Sequence, residues 1–351
     1  MKFSIGLFLV LSSSLLAQQT VPEIKFDSVP NPLKLPADIH LGEVSGVAVN
    51  SKGHVFVFSR GNSTGPAYGA TAAQLLEFGP DGKYLREIGK NLYAWSFAHA
   101  VRVDKDDNIW AIDKGSDMIV RFNPEGHVTM VFGRKKEASD EAAPWTRVPT
   151  PRPALNGQFR QPTDVTWDTQ GNIFISDGYI NSRVAKYDKT GRWVKQWGDP
   201  GSKPGEFNTP HSIAADAKGN IYVADRGNRR IQVFDPDGTF QREIKIEVPV
   251  PPDVQPWMGA MPSPQSAAAQ SGTPWAICIS PGPTQYLYSS DAYPGRVYKL
   301  SLDGTVLGML GTSGRQLKEF GWIHEIACPS ENVLYVAELL NWRVQKLLLH
   351  P

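Results

Sequence analysis

His99, His211 and His324 are three of the seven histidines in the chain. Each stands at the start of an apolar, alternating stretch: HAVRV, HSIAA and HEIAC. Aligning every such stretch on that position gives Ser45, His99, Thr163, His211, Trp275 and His324, so histidine takes every second copy. A single histidine at the start of a strand is ordinarily a hydrogen-bonded surface or core residue. Alternate spacing sets these apart, because three imidazoles around an open fourth position is the ligand set of a catalytic zinc site. The remaining histidines, His40, His54, His127 and His350, fall at no equivalent position and read as solvated.

A second aligned position follows the next strand, where the copies read FSRG, IDKG, SDGY, ADRG, SDAY and AELL. Its acids, Asp113, Asp177, Asp225, Asp291 and Glu338, are expected to bind the backbone of their own loops, as Asx turns do. One step on stand Arg60 and Arg226; Tyr179 and Tyr293 stand one step further. The second strand of a hairpin ends where the first begins, so these side chains are expected on the same face as the histidines. A guanidinium fork matches a carboxylate bidentately. Beside a metal, the set predicts a site for a small carboxylate.

The elements that must position these residues come from a repeat. QPTDVTWDTQGNIFISDGYINSRVAKYDKTGRWVKQWG, from Gln161, aligns with TPHSIAADAKGNIYVADRGNRRIQVFDPDGTFQREI, from Thr209. Period-two apolar positions such as Ile173 and Ile175, or Ile221 and Val223, bounded by Gly and Asn, are a strand signature. Further copies run from Val44 to Ile88, Ala98 to Phe132, Trp275 to Leu310 and Ile323 to Leu348. Four strands to a copy and six copies predict an all-β, six-bladed β-propeller, an open solenoid being the alternative. In such a ring alternate blades lie about 120° apart, so the three imidazoles converge on the axis. The last copy lacks a fourth strand, and the segment Ile24 to Leu33 is placed to close the ring there. Inserts from Arg134 to Gly157 and from Ile246 to Pro274, rich in Pro and Ala, are expected as loops over one face.

Residues 1–17 combine Lys2 with an apolar run to Ala17 and read as a secretory signal, which leaves 18–351 as a single domain, secreted or periplasmic. Lys plus Arg total 36 and Asp plus Glu 35. That balance gives no electrostatic reason to expect nucleic acid or an anionic membrane as partner, and a monomer is expected. With only two cysteines, Cys278 and Cys328, the fold cannot depend on a disulfide framework; the two either pair or stay buried and reduced.

The copies resemble the NHL repeat over nearly the whole of 18–351. SDGYINSR at Ser176, PGEFNTPHSI at Pro204, ADRGNRRIQVF at Ala224, FSRG and NLYAWSFAHAV make the chain similar to peptidylamidoglycolate lyase, the peptidyl-α-hydroxyglycine α-amidating lyase. The resemblance implies a six-bladed propeller that cleaves the C–N bond of a peptidyl- or acyl-α-hydroxyglycine to an amide and glyoxylate. It implies zinc on His99, His211 and His324, a catalytic Tyr179, and Arg60 and Arg226 as site arginines. It also implies a structural calcium on the main-chain carbonyls of Val47 and Val101 with Glu325. Tyr293 and Trp322 are expected along the substrate pocket. The chain departs from the family pattern at Glu325, where the family has Asp, at Trp322 and Ile323, where it has Met-Pro, and at Ile180, where a Cys is common. Two other readings stand beside this one: a non-catalytic exported propeller that binds a peptide or glycan, and a calcium-dependent lactonase, whose sites favour Glu, Asn and Asp ligands.

Overall fold

Val55–Ser59 shows why these segments build radial blades. All five residues are buried. Successive side chains leave opposite faces of a strand, so Val55 and Val57 pack toward the last repeat while Phe56 and Phe58 pack toward the second. A sheet apolar on both faces needs a neighbour on each side. Sheets set around a ring meet that need without a layer of helices.

The structure, a computed structural model, describes residues 21–61, 73–135, 154–254 and 270–350. It contains six four-stranded antiparallel sheets. Blade one is Val44–Val49, Val55–Ser59, Gln74–Phe78 and Tyr84–Ile88. The innermost strands of blades two to six are Ala98–Val103, Asp164–Trp167, Pro210–Ala215, Ala276–Ile279 and Ile323–Ser330. These strands pack against one another around the axis. Six apolar clusters lie one between each pair of neighbouring blades, the sixth joining blade six to blade one, which excludes the open solenoid.

The ring closes as expected from the missing fourth strand. Lys25–Val29 pairs with Arg343–His350, with Phe26 opposite Leu349, and the Ser28 hydroxyl donates to Gln345 Oε1 at 2.6 Å. The strand stops at Val29, short of Leu33, because Pro30 has no N–H to donate to a ladder. The chain then crosses to blade one, where Lys34 N–H donates to Gly82 C=O at 2.7 Å. Cys278 and Cys328 are bonded, tying the innermost strands of blades five and six.

The 3-10 turn Arg226–Asn228 is the single helical element among the described residues, and none of these is a helix long and apolar enough to cross a membrane. The signal at 1–17 and the centres of both inserts, 136–153 and 255–269, lie outside the described residues.

Phe26, 8% exposed, packs in the cluster between blades five and six and stacks on Phe320 at 6.4 Å. If this closure holds the ring, Phe26→Ala should cost about 3 kcal/mol in urea unfolding. A change within error would show that the terminal strand contributes nothing to stability.

Candidate metal centre

The strand order brings His99, His211 and His324 to the axis at one level. Their ring centroids form a near-equilateral triangle with sides of 4.8, 4.7 and 4.9 Å. One ligand atom from each lies within 4.8 Å of the other two, and all three residues are buried.

The other copies of the aligned position complete the arrangement. Each imidazole donates Nδ1–H to the carbonyl of the matching residue on the next blade: His99 to Thr163 at 2.7 Å, His211 to Trp275 at 2.7 Å and His324 to Ser45 at 2.8 Å. A carbonyl only accepts, so Nδ1 carries the proton and Nε2 is left with a lone pair aimed at the axis. The three rings are also held neutral. For all of them burial is the largest cause, driving the pKa well below the usual value; next come the other histidines for His99, Arg226 for His211 and Arg60 for His324. Neutral imidazoles with oriented Nε2 atoms fit a three-histidine metal site.

Tyr179 lies on this triangle. Its hydroxyl is 3.3 Å from His99 Nε2 and 3.2 Å from His211 Nε2. Burial pushes its phenol up, but Arg226, Lys114 and Arg60 outweigh that and leave it below its usual value. Gly178, just before it, allows the close approach of blade four, since a Cβ there would stand 1.8 Å from Pro210 C=O.

The two expected arginines differ. Arg60 donates Nε–H to Ala98 C=O at 3.0 Å and pairs with Glu43 at 2.6 Å, so much of its fork is committed within the protein. Arg226, 9% exposed, lies over the Trp275 ring at 4.0 Å. Its Nε and Nη1 are buried and have no hydrogen-bond partner among the described residues. Trp322 packs edge-on against Trp275 at 4.8 Å, and Trp275 against His211 at 4.9 Å, so these indoles form an apolar wall beside the triangle. Tyr293 gives its hydroxyl to Val254 C=O at 3.2 Å, toward the second insert instead of the triangle.

Lys114 was missed from sequence, although it occupies the repeat position of Arg60 and Arg226 on blade two. Its ammonium lies 3.9 Å from the Tyr179 ring centre. The aligned acids do bind backbone, chiefly in the loop that leads into the innermost strand of the same blade: Asp113 accepts from Ser96 N–H at 2.8 Å, Asp225 from Asn208 at 2.7 Å and Glu338 from Gly321 at 2.7 Å. Antiparallel pairing places that loop beside the end of the second strand.

The expected calcium position reads differently from the sequence. Glu325 Oε2 accepts N–H from Val47 at 3.1 Å and Val101 at 3.0 Å, and Arg102 Nε stands 2.9 Å from Glu325 Oε1. A carboxylate already facing two amides and a guanidinium does not fit a calcium site, which wants six to eight oxygens and no adjacent cation.

The NHL repeat family model matches residues 207–234. A peptidylglycine alpha-amidating monooxygenase of Rattus norvegicus is 32% identical over 229 residues, 58% of this chain and 22% of that protein. Peptidyl-alpha-hydroxyglycine alpha-amidating lyase 1 of Drosophila melanogaster is 25% identical over 367 residues, 94% of this chain and 63% of that protein. This chain is an NHL-repeat propeller resembling the amidating lyases. It spans about a fifth of the length of the first curated relatives it matches, 22% in each. A virginiamycin B lyase from Staphylococcus aureus, 14% identical with a TM-score of 0.54, covers 93% of this chain and is itself covered in full, 100%, a likeness of fold alone.

His211→Ala should abolish binding of the metal while leaving the circular dichroism of the propeller unchanged; the same metal content per chain in both proteins would remove His211 from the ligand set. In metal-stripped protein the sign of the histidine shifts also predicts a pH response. Unfolded imidazoles take protons below about pH 6.5 that the buried rings refuse, so stability should be full above that pH and fall below it. A melting temperature that stays level from pH 7 to pH 5 would contradict this.

Proposed function

We propose that this propeller is a zinc-dependent carbon–nitrogen lyase acting on a peptidyl- or acyl-α-hydroxyglycine, releasing an amide and glyoxylate. The observation that carries this reading is a buried Arg226 whose Nε and Nη1 have no hydrogen-bond partner among the described residues, beside three converging Nε2 atoms. That pairing suits a substrate whose carboxylate and hydroxyl share one carbon.

His99, His211 and His324 would hold the metal. When bound, zinc supplies Lewis-acid polarisation of the substrate oxygens and lowers the pKa of the hydroxyl. Arg226 takes the carboxylate by charge-assisted hydrogen bonding from its open edge, in a site shielded from water. Arg60, tied to Glu43, adds positive potential and does not grip the substrate. Tyr179, held below its usual pKa by Arg226, Lys114 and Arg60, accepts the hydroxyl proton. As the C=O of glyoxylate forms, the C–N electron pair leaves on nitrogen, and the proton carried by Tyr179 goes to that nitrogen to give the primary amide. The apolar wall of Trp275 and Trp322 faces the acyl or peptide portion.

Residues 1–17 as a signal, and Cys278 bonded to Cys328, support an exported single domain, 18–351, in an oxidising compartment.

The test is glyoxylate released from α-hydroxyhippurate by the purified full chain, with and without chelator. Tyr179→Phe should keep the metal and lose about 10²- to 10⁴-fold in turnover. Arg226→Ala should lose about 10- to 100-fold in kcat/KM, mostly through KM. No glyoxylate from the metal-replete protein sinks the reading and leaves a binding propeller.

A further inference from the structure

One layer below the histidines, the axis is filled by protein. Asp164, Ser212 and Glu325 each follow directly on the aligned position of their blade, and Arg102 lies three residues after His99. The Arg102 guanidinium reaches across the ring. Its Nε–H donates to Asp164 Oδ1 at 2.9 Å, and Nη2 lies 2.6 Å from Asp164 Oδ2. Nη1 donates to Ile326 C=O at 3.0 Å, and Nη2 also reaches Ser212 Oγ at 3.2 Å and Ile277 C=O at 3.3 Å. Because Nε–H points at Asp164, the 2.9 Å approach to Glu325 Oε1 is a contact of charge with charge and not a hydrogen bond.

Around this cation the two acids reach the remaining blades. Asp164 accepts from Ser212 Oγ at 2.8 Å and Ile213 N–H at 3.1 Å. Glu325 accepts from Val47 and Val101 N–H. Arg102 and its two acids thus bond to the innermost strand of every blade. Ile277 and Ile326, whose carbonyls take the guanidinium, hold the same strand position in blades five and six that Val47 and Val101 hold in blades one and two. The space between this layer and the histidines has no room for a water molecule. On the far side of Arg102 lies a cavity of about 160 Å³ lined by Val47, Val49, Cys278 and Cys328, among others. Gly46 permits the packing, as a Cβ there would stand 2.8 Å from Glu325 Oε2.

We infer that Arg102 is the axial cation of this propeller: its guanidinium occupies the axis, pairs with Asp164, sets its charge beside Glu325, and makes the fold independent of calcium. The fixed charge replaces an exchangeable ion, and it holds in place the strands whose carbonyls orient the three histidines. The inference does not depend on which reaction the site performs.

The experiment uses the purified full chain, dialysed against calcium at about 1 mM, where extracellular calcium modules load. Calcium and zinc are counted in the same samples by mass spectrometry, so failure of the zinc reading is seen separately. Wild type should retain calcium well below one ion per chain, and its melting temperature should not move on adding calcium. Arg102→Ser exposes the two acids to each other and should melt about 5 °C lower, with part of that loss restored by calcium. Arg102→Lys, which keeps the charge, should stay indifferent to calcium. One calcium per wild-type chain, a wild-type melting temperature that rises with calcium, or an Arg102→Ser protein as stable as wild type would each overturn the inference.

Discussion

The candidate site depends on one hydrogen bond made three times: an imidazole Nδ1–H on an even blade to a main-chain carbonyl on the next odd blade. This bond sets the tautomer, turns Nε2 to the axis and joins the pair of blades that must stay in register for the triangle to exist. Its acceptors are the main-chain carbonyls of Thr163, Trp275 and Ser45, two hydroxyl residues and an indole. This bond uses only their backbone, so it needs histidine on the even copies and no particular side chain on the odd ones.

Charge around the triangle is one-sided. Arg60, Lys114 and Arg226 occupy one repeat position on blades one, two and four, and among the described residues the metal-ligand cluster at the axis is three histidines with no carboxylate. Positive neighbours and burial both disfavour imidazolium, so the two causes add at the histidines. At Tyr179 they oppose, and the cations win. The same field therefore holds three rings neutral and lowers a phenol, which is the combination a metal-assisted proton transfer requires. Such a potential attracts anions.

Below the triangle the logic reverses. Acids appear there, on opposite blades three and six, and are answered by Arg102 from blade two. Buried ionic groups are costly unless fully partnered. Asp164 has backbone, hydroxyl and guanidinium partners, and Glu325 has two amides on one oxygen and the Arg102 charge beside the other. The layer locks the six innermost strands at the height where a small slip would spoil the histidine geometry above.

The repeat was legible because each copy carries its own strands, turns and apolar alternation, all local properties of the chain. Its period set six blades, and its register put His99, His211 and His324 on alternate ones. The missing fourth strand likewise announced closure by the N-terminal segment, although Pro30 cut that strand to Lys25–Val29. Lys114 was readable on the same alignment as Arg60 and Arg226. What only the tertiary structure decided lies across blade boundaries: which carbonyls fix the imidazoles, that Glu43 engages Arg60 while Nε and Nη1 of Arg226 find no partner among the described residues, that Tyr293 turns to Val254, and that Arg102 spans the axis between Asp164 and Glu325. Those partners are far apart in sequence and meet only once the ring closes, so no local pattern encodes them.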